Sequence, residues 1–297
     1  MRFFTTVAMA AVISCGTAAA DETVIEGALA FQAMQKTTCG TTEQGKTRFG
    51  IWEGRTFSRV PGEKDRLLFD VMGINVRQCI VLNDPVRGRG YRSVSREIMV
   101  YMEPDSGEIL DTWENPWTGE TVKVLHVAND PVNMRAPRYE RDEEGELSAR
   151  LTLRQYGELS AASYEIPLFY DNPLGGDYQA YVGGSYHAME IFNSFIYTKN
   201  LHHKSVKSIG QSHMTRSRVS QWLQWLEMGS RPGLMIFNAS GFSTFEADKI
   251  PERLQEILAQ RYPLYQTPPP LDDPRPNETS WTVCKKYIEQ QSDGSEG

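Results

Sequence analysis

Beyond its first twenty residues the sequence holds no apolar run of the roughly 20 positions that a membrane-spanning helix needs. No transmembrane segment is therefore expected. Basic residues are outnumbered, 31 Lys and Arg against 38 Asp and Glu, and nowhere form a block. Nucleic acid is disfavoured as a partner, because phosphate neutralisation calls for clustered Lys and Arg. Cysteine is scarce: Cys15, Cys39, Cys79 and Cys284 are the full set. So few and so dispersed, they fit neither a disulfide scaffold nor a zinc site. Several catalytic signatures are missing as well: there is no G-x-S-x-G elbow, H-E-x-x-H helix, P-loop or G-x-G-x-x-G turn. Serine hydrolases of the common kind, zinc hydrolases of that motif and nucleotide enzymes are each disfavoured.

The N-terminus differs in kind. Arg2 is the only charge before Asp21, and residues 3–14 are largely apolar yet too short to cross a bilayer. Ala18, Ala19 and Ala20 then give the small-x-small pattern at which a signal peptidase cuts. Residues 1–20 are expected to be a cleavable signal, and the product to be periplasmic or secreted. Lipid anchoring at Cys15 is the rival, since Val12-Ile13-Ser14-Cys15 looks like a lipobox. Without Cys15, at most one disulfide can form among the remaining three cysteines.

Residues 21–291 are read as a single globular domain, because no repeat and no shift in composition divides them. The first 15 of these residues have a rough helical rhythm. Strand patterns follow. Residues 92–102 alternate, with Val94, Ile98, Val100 and Met102 on one parity, and Glu103-Pro104-Asp105-Ser106-Gly107 supplies a turn. Residues 109–113 and 121–128 complete an antiparallel meander around a second turn at Asn115-Pro116-Trp117-Thr118-Gly119. Further strand-like stretches run to residue 219. A short helix capped by Ser220 is expected to carry Trp222, Leu223, Trp225 and Leu226, and another to start at Pro251 with Leu254, Ile257 and Leu258 on one face. Residues 267–276 (TPPPLDDPRP) form a proline-stiffened arm, and residues 292–297 a disordered tail. The fold expected is mainly β (α+β): an antiparallel sheet, closed or nearly closed into a barrel, with a few short helices at its ends.

The block REIMVYMEPDSGEILDTWENPWTGETVKVLHVANDPVN, with WLQWLEMG at residues 222–229 and PNETSW at residues 276–281, resembles the bacterial family filed as domain of unknown function 1838. The resemblance spans most of residues 21–297. It implies bacterial proteins, often exported, and brings no catalytic residue with it, so the candidate sites come from this sequence alone.

His126 shares strand parity with Val122, Val124 and Ala128, which points it toward the apolar side, and Asn129, Asp130 and Asn133 follow directly. A histidine on an inner face with a carboxylate beyond it can serve as general acid or base near neutral pH. The bland alternative is a hydrogen-bonded core histidine beside a turn. His187 and Glu190 differ in strand parity and so face opposite sides, against a shared metal pair; either can line a cavity. Tyr186 precedes them. His213 alternates with Thr215 and Ser217, which puts Arg216 and Arg218 on the other face, where an arginine pair can grip a carboxylate or make a surface ladder. Arg96 is a further candidate, and Arg77 can reach an inner face near Asn75. Trp113 can wall a small-molecule pocket, although tryptophans of this kind are more often core.

Catalytic roles are accordingly expected of His126, Asp130, His187 and Glu190. Substrate contacts are expected of Asn129, Asn133, Arg96, Trp113, Tyr186, His213 and Arg216. The function expected is action on a small, partly aromatic or carboxylated molecule in a barrel cavity, by acid–base chemistry of lyase or isomerase type with no cofactor and no metal. The alternatives are a non-catalytic barrel that binds or carries an apolar ligand, and an envelope interaction protein. Intact-mass analysis of the exported product should find a mature N-terminus at Asp21; a diacylglyceryl group on Cys15 would overturn that expectation.

Overall fold

The computed structural model describes residues 21–174, 178–179 and 181–294. The expected signal at residues 1–20 lies outside them. Strand β1 (Asp21–Glu26) leads into α1 (Gly27–Cys39) through Gly27, whose φ of 61° is a left-handed conformation that glycine adopts without strain. The helix thus begins later than the sequence rhythm suggests, because residues 21–26 pair as a strand instead. Long strands follow: β2 (Arg48–Arg59), β3 (Arg66–Asp84) and β4 (Gly88–Met102). After the short strands β5 (Thr112–Glu114), β6 (Thr121–Lys123), β7 (Val127–Asn129) and β8 (Arg138–Tyr139) come β9 (Arg150–Tyr156), β10 (Leu159–Tyr170) and β11 (Tyr186–Tyr197). A short helix α2 (Thr198–His202), strands β12 (Ser212–Ser220) and β13 (Leu234–Thr244), and helices α3 (Glu252–Arg261) and α4 (Ser280–Gly294) complete the chain.

The main sheet runs β1-β9-β10-β11-β12-β13-β2-β3-β4-β7, with β8 also on β4, and every pairing is antiparallel. It is mainly β and antiparallel, as expected, but it is not closed: β1 and β7 end the ladder without pairing to each other. Only part of the expected meander forms. β5 and β6 make a separate two-stranded hairpin, and β7 alone returns to β4. The helix expected from Ser220 is also absent. Residues 222–226 are all buried, Gln224 included, and five consecutive positions encircle a helix, so a helix with one apolar side cannot bury them; an extended stretch and a single 3-10 turn at Gln224–Leu226 do. At the C-terminus α4 continues to Gly294, so residues 292–294 are helical and not part of a frayed tail.

Two cores flank the sheet. Residues paired across an antiparallel ladder point to the same side, and one side, the inner face, carries Trp52, Phe69, Val71, Met99, Tyr101, Phe237 and Ala239. Residues 222–228 and Val122 and Val124 cover one end of that face. The outer face packs Ile51, Ile74, Ile98 and Val100 against Leu254, Ile257 and Leu258 of α3. These three lie at i, i+3 and i+4 of a helix that follows Pro251.

Helix α1 covers the other end of the inner face. Ala30 and Ala33 pack with Leu153, Ala162 and Ile196 of β9, β10 and β11, while Phe31 and Cys39 meet Cys79 and Tyr91 of β3 and β4. Cys39 and Cys79 form a disulfide. Lys36, fully buried, donates from Nζ to the carbonyls of Asn200, Leu201 and His203 at 2.8, 3.2 and 3.0 Å, which spends its charge on the end of α2. The helix therefore joins strands that are remote along the ladder.

The disulfide closes a ring with a sequence separation of 40. On the chain-entropy account, replacing both cysteines by serine should lower stability by about 4 kcal/mol. Urea unfolding of the oxidised and Cys39→Ser/Cys79→Ser proteins measures this; equal midpoints would mean that α1 is held by packing alone.

Candidate functional site

Cross-strand register lays the inner face out in rows. Ser212, Ser243, Gly50, Asn75, Glu97 and Asn129 make a polar row across β12, β13, β2, β3, β4 and β7. Two residues along lies an apolar row of Met214, Gly241, Trp52, Gly73 and Met99. The next holds Arg216, Ala239, Gly54, Val71 and Tyr101. Arg218, Phe237, Thr56 and Phe69 follow, with Glu190 opposite Arg218 on β11.

The charged heart of this face is Glu190 between two arginines. Its Oε1 accepts from Arg216 at 2.8 Å and from Arg218 at 3.1 Å. Arg218 also donates to Tyr186 Oη at 2.5 Å. Side-chain exposures of 14, 19 and 17% for Glu190, Arg216 and Arg218 make this a mostly buried group. Burial alone would raise the pKa of Glu190, but the two guanidinium groups outweigh it and hold the carboxyl below its ordinary range. The cluster carries one positive charge in excess. The Nε atoms of both arginines are buried and have no hydrogen-bond partner. Arg216 lies over the Phe192 ring at 5.4 Å, and Trp281 of α4 meets Tyr186 edge-on at 4.8 Å. Tyr101 comes from β4, far along the ladder, yet lies within the electrostatic reach of Arg218 and Arg216; its burial pushes its hydroxyl pKa upward.

The remaining candidates divide. Asp130 does not meet His126. Its carboxylate is paired with Arg96 Nε at 2.9 Å and with Arg275 at 2.9 and 3.2 Å, and Arg275 also binds Asp273 at 2.7 Å. This four-charge network lies on the outer side, where Arg96 also donates to the Leu264 carbonyl, and it ties down the proline-rich arm. Asn133 belongs to the same tie: its N–H and C=O bind the side chain of Asn277, and its own Oδ1 accepts from the Ser95 N–H. Asn129 instead joins the inner polar row, donating to Glu97 at 2.9 Å.

His126 lies between β6 and β7, so the parity counted from Val122 does not carry through: Val122 and Val124 enter the inner core, while Ala128 packs with the outer one. Its Nδ1 accepts from the Tyr101 N–H at 3.1 Å, which assigns the proton to Nε2, a buried atom without a partner. Burial, with a smaller push from Arg261, lowers its pKa to about 4. It is a neutral ring at pH 7. His187 faces outward and meets Phe169 edge-on at 4.6 Å, opposite in face to Glu190 as the strand parity predicts. His213 lines an outer groove of about 370 Å³ with Ile51, Met72, Phe195, Phe242 and Glu53. Trp113 is part of an aromatic cluster with Phe69, Trp117 and Trp225. Among the described residues no three His, Cys, Asp or Glu side chains gather as a metal set.

Tyr101 and Arg275 were invisible to sequence reasoning, because each meets its partners through tertiary approach and neither has a local pattern. A model of the family described as protein of unknown function DUF1838 matches residues 45–288, which takes in every element of this site. No curated protein matches the chain.

The depressed pKa of His126 has a consequence for stability. As pH falls, the unfolded chain binds this proton first, near pH 6.5, and the folded protein only near 4. Stability should therefore decline between about pH 6.5 and 4, by up to about 3 kcal/mol from this group. Melting temperatures of wild type and His126→Gln across that window test it: the variant should show the shallower decline, and parallel curves would refute the assignment.

Proposed function

We propose, for a protein that belongs to the DUF1838 family, that the inner face binds a small carboxylated, partly aromatic molecule at Arg216 and Arg218. The observation that carries this reading is the pair of unpartnered, buried Nε atoms on two arginines that share a single carboxylate. A buried charge in excess is costly unless an opposite charge meets it, and a guanidinium fits a carboxylate with two parallel bonds. Thr56 Oγ1 and Trp52 Nε1, also buried and unpartnered, lie on the same face. Tyr101, Tyr186, Phe192 and Trp281 supply aromatic walls. Glu190 then acts as the internal stand-in for the ligand's carboxylate, holding the arginines until it is displaced.

Two expectations from the sequence belong to the same proposal. The sheet works as a nearly closed barrel wall, with α1 in the gap; support comes from the contacts of α1 with both β9 and β3–β4, and from the approach of Tyr101 to Arg216 and Arg218. The protein works outside the cytoplasm after loss of residues 1–20, for which the Ala18-Ala19-Ala20 pattern and the Cys39–Cys79 disulfide speak.

A second reading, a lyase or isomerase that moves a proton on the bound molecule, is favoured by the contact of Tyr186 Oη with Arg218. That pair sets a hydroxyl beside a cation next to the bound carboxylate. Loss of turnover in Tyr186→Phe with ligand binding kept would establish it.

Calorimetric titration of the mature protein with benzoate and phenylacetate tests the main reading. Arg216→Gln should weaken binding tenfold or more, the scale of a lost charged hydrogen bond. Glu190→Gln should tighten it by removing the internal competitor, while lowering the melting temperature because two buried arginines lose their counter-charge. Folded Arg216→Gln with wild-type affinity, or Glu190→Gln with unchanged or weaker affinity, would overturn the proposal.

A further inference from the structure

We propose that Arg48 and Arg77 form a second carboxylate site on the same face, so that the ligand is an elongated dicarboxylate with one acidic group at each end. The inference rests on the reading above and extends it. Arg48 and Arg77 are direct cross-strand partners on β2 and β3. Like charges in that position repel, and Arg48 is only 3% exposed. Among the described residues neither makes an ion pair. Their hydrogen bonds go to neutral acceptors: Arg48 to the Gly210 carbonyl at 3.2 Å and Ser212 Oγ at 2.8 Å, Arg77 to Asn75 Oδ1 at 2.8 Å and the Thr38 carbonyl at 3.2 Å. Glu97, diagonal to Arg77, is the one acid near enough to favour its charge, and it already accepts from Asn129. Burial and the neighbouring Arg77 bring the pKa of Arg48 down to about 9.

An independent observation points to a ligand. Gln35 of α1 is fully buried, yet neither amide atom has a hydrogen-bond partner. It lies one helical turn from both Phe31 and Cys39, which pack with Cys79 and Tyr91 of β3 and β4, and three residues before Thr38, whose carbonyl receives Arg77. A buried amide with both ends unused, on the helix whose Thr38 carbonyl receives Arg77, is suited to an oxyanion held with the arginines. Arg77 also neutralises the negative end of α1, but that role needs one arginine and not a pair.

The spacing sets the length of the ligand. Arg48 reaches Ser212, and Arg216 stands four residues along the same strand and the same face. At about 3.3 Å per residue the two sites are roughly 13 Å apart. Between them the floor carries the apolar Met214 and Trp52 with the bare backbone of Gly241 and, in the polar row, of Gly50; a Cβ on Gly50 would meet only Ser243 Oγ at 3.4 Å and the Asn75 carbonyl at 3.8 Å. An unbranched or aromatic spacer fits such a floor.

The test is calorimetric titration of the mature, oxidised protein with straight-chain dicarboxylates of increasing length and with monocarboxylates of matched length. Wild type should prefer the dicarboxylate by tenfold or more, with a maximum near the length that separates its ends by roughly 13 Å. Arg77→Gln should abolish that preference. Gly50→Val, which leaves both arginine pairs in place and raises the floor between them, should do the same if Arg77→Gln fails to fold. Equal affinity for mono- and dicarboxylates in wild type, or a preference that survives in folded Arg77→Gln, would leave the pair a helix cap only and sink the inference while the Arg216–Arg218 reading stands. No binding of any carboxylate would sink both.

Discussion

An open antiparallel sheet with charges on its inner face faces two costs: unpaired edges and desolvated ions. Helix α1 links strands far apart on the ladder. Its alanines fit against β9, β10 and β11, its aromatic and cysteine side face β3 and β4, and Lys36 ties it to the end of α2. The helix thus packs at one end of the inner face, and residues 222–228 at another.

Charge is then arranged in opposite ways on the two faces. On the outer side, Arg96, Asp130, Arg275 and Asp273 balance two charges of each sign and hold the arm to the sheet, although Arg96 Nε makes no hydrogen bond. On the inner side, arginines outnumber acids and leave donors unused. Balanced networks give position, since no net charge in them is left to bind. Unbalanced ones of similar burial have a standing demand for a counter-ion, and this contrast is the basis of the proposed site.

The sequence shows the alternation that separates His213 from Arg216 and His187 from Glu190, and the turn residues at 103–107, because these depend on neighbours in the chain. It does not show which distant strands face each other, so the electrostatic reach of Arg218 to Tyr101 could not be read. The same limit misplaced His126. A parity count assumes an unbroken strand, and between Lys123 and Val127 the chain leaves one sheet and joins another. The segment around Trp222 failed for a different reason: a helix buries one stripe, whereas this segment buries nearly every side chain. The Asp130 carboxylate looked free from sequence because Arg275 lies 145 positions away.

The pairing of β1 with β9 and the docking of Lys36 beside residues 200–203 have a bearing on the order of assembly. The first elements of the chain find their partners more than a hundred residues later, so they cannot be completed as they emerge. Contacts of such long range make folding slow, and β1 and Lys36 cannot be paired before β9 and α2 are present. The N-terminal segment thus waits for its partners: its pairing cannot be completed until residues 150–203 are available.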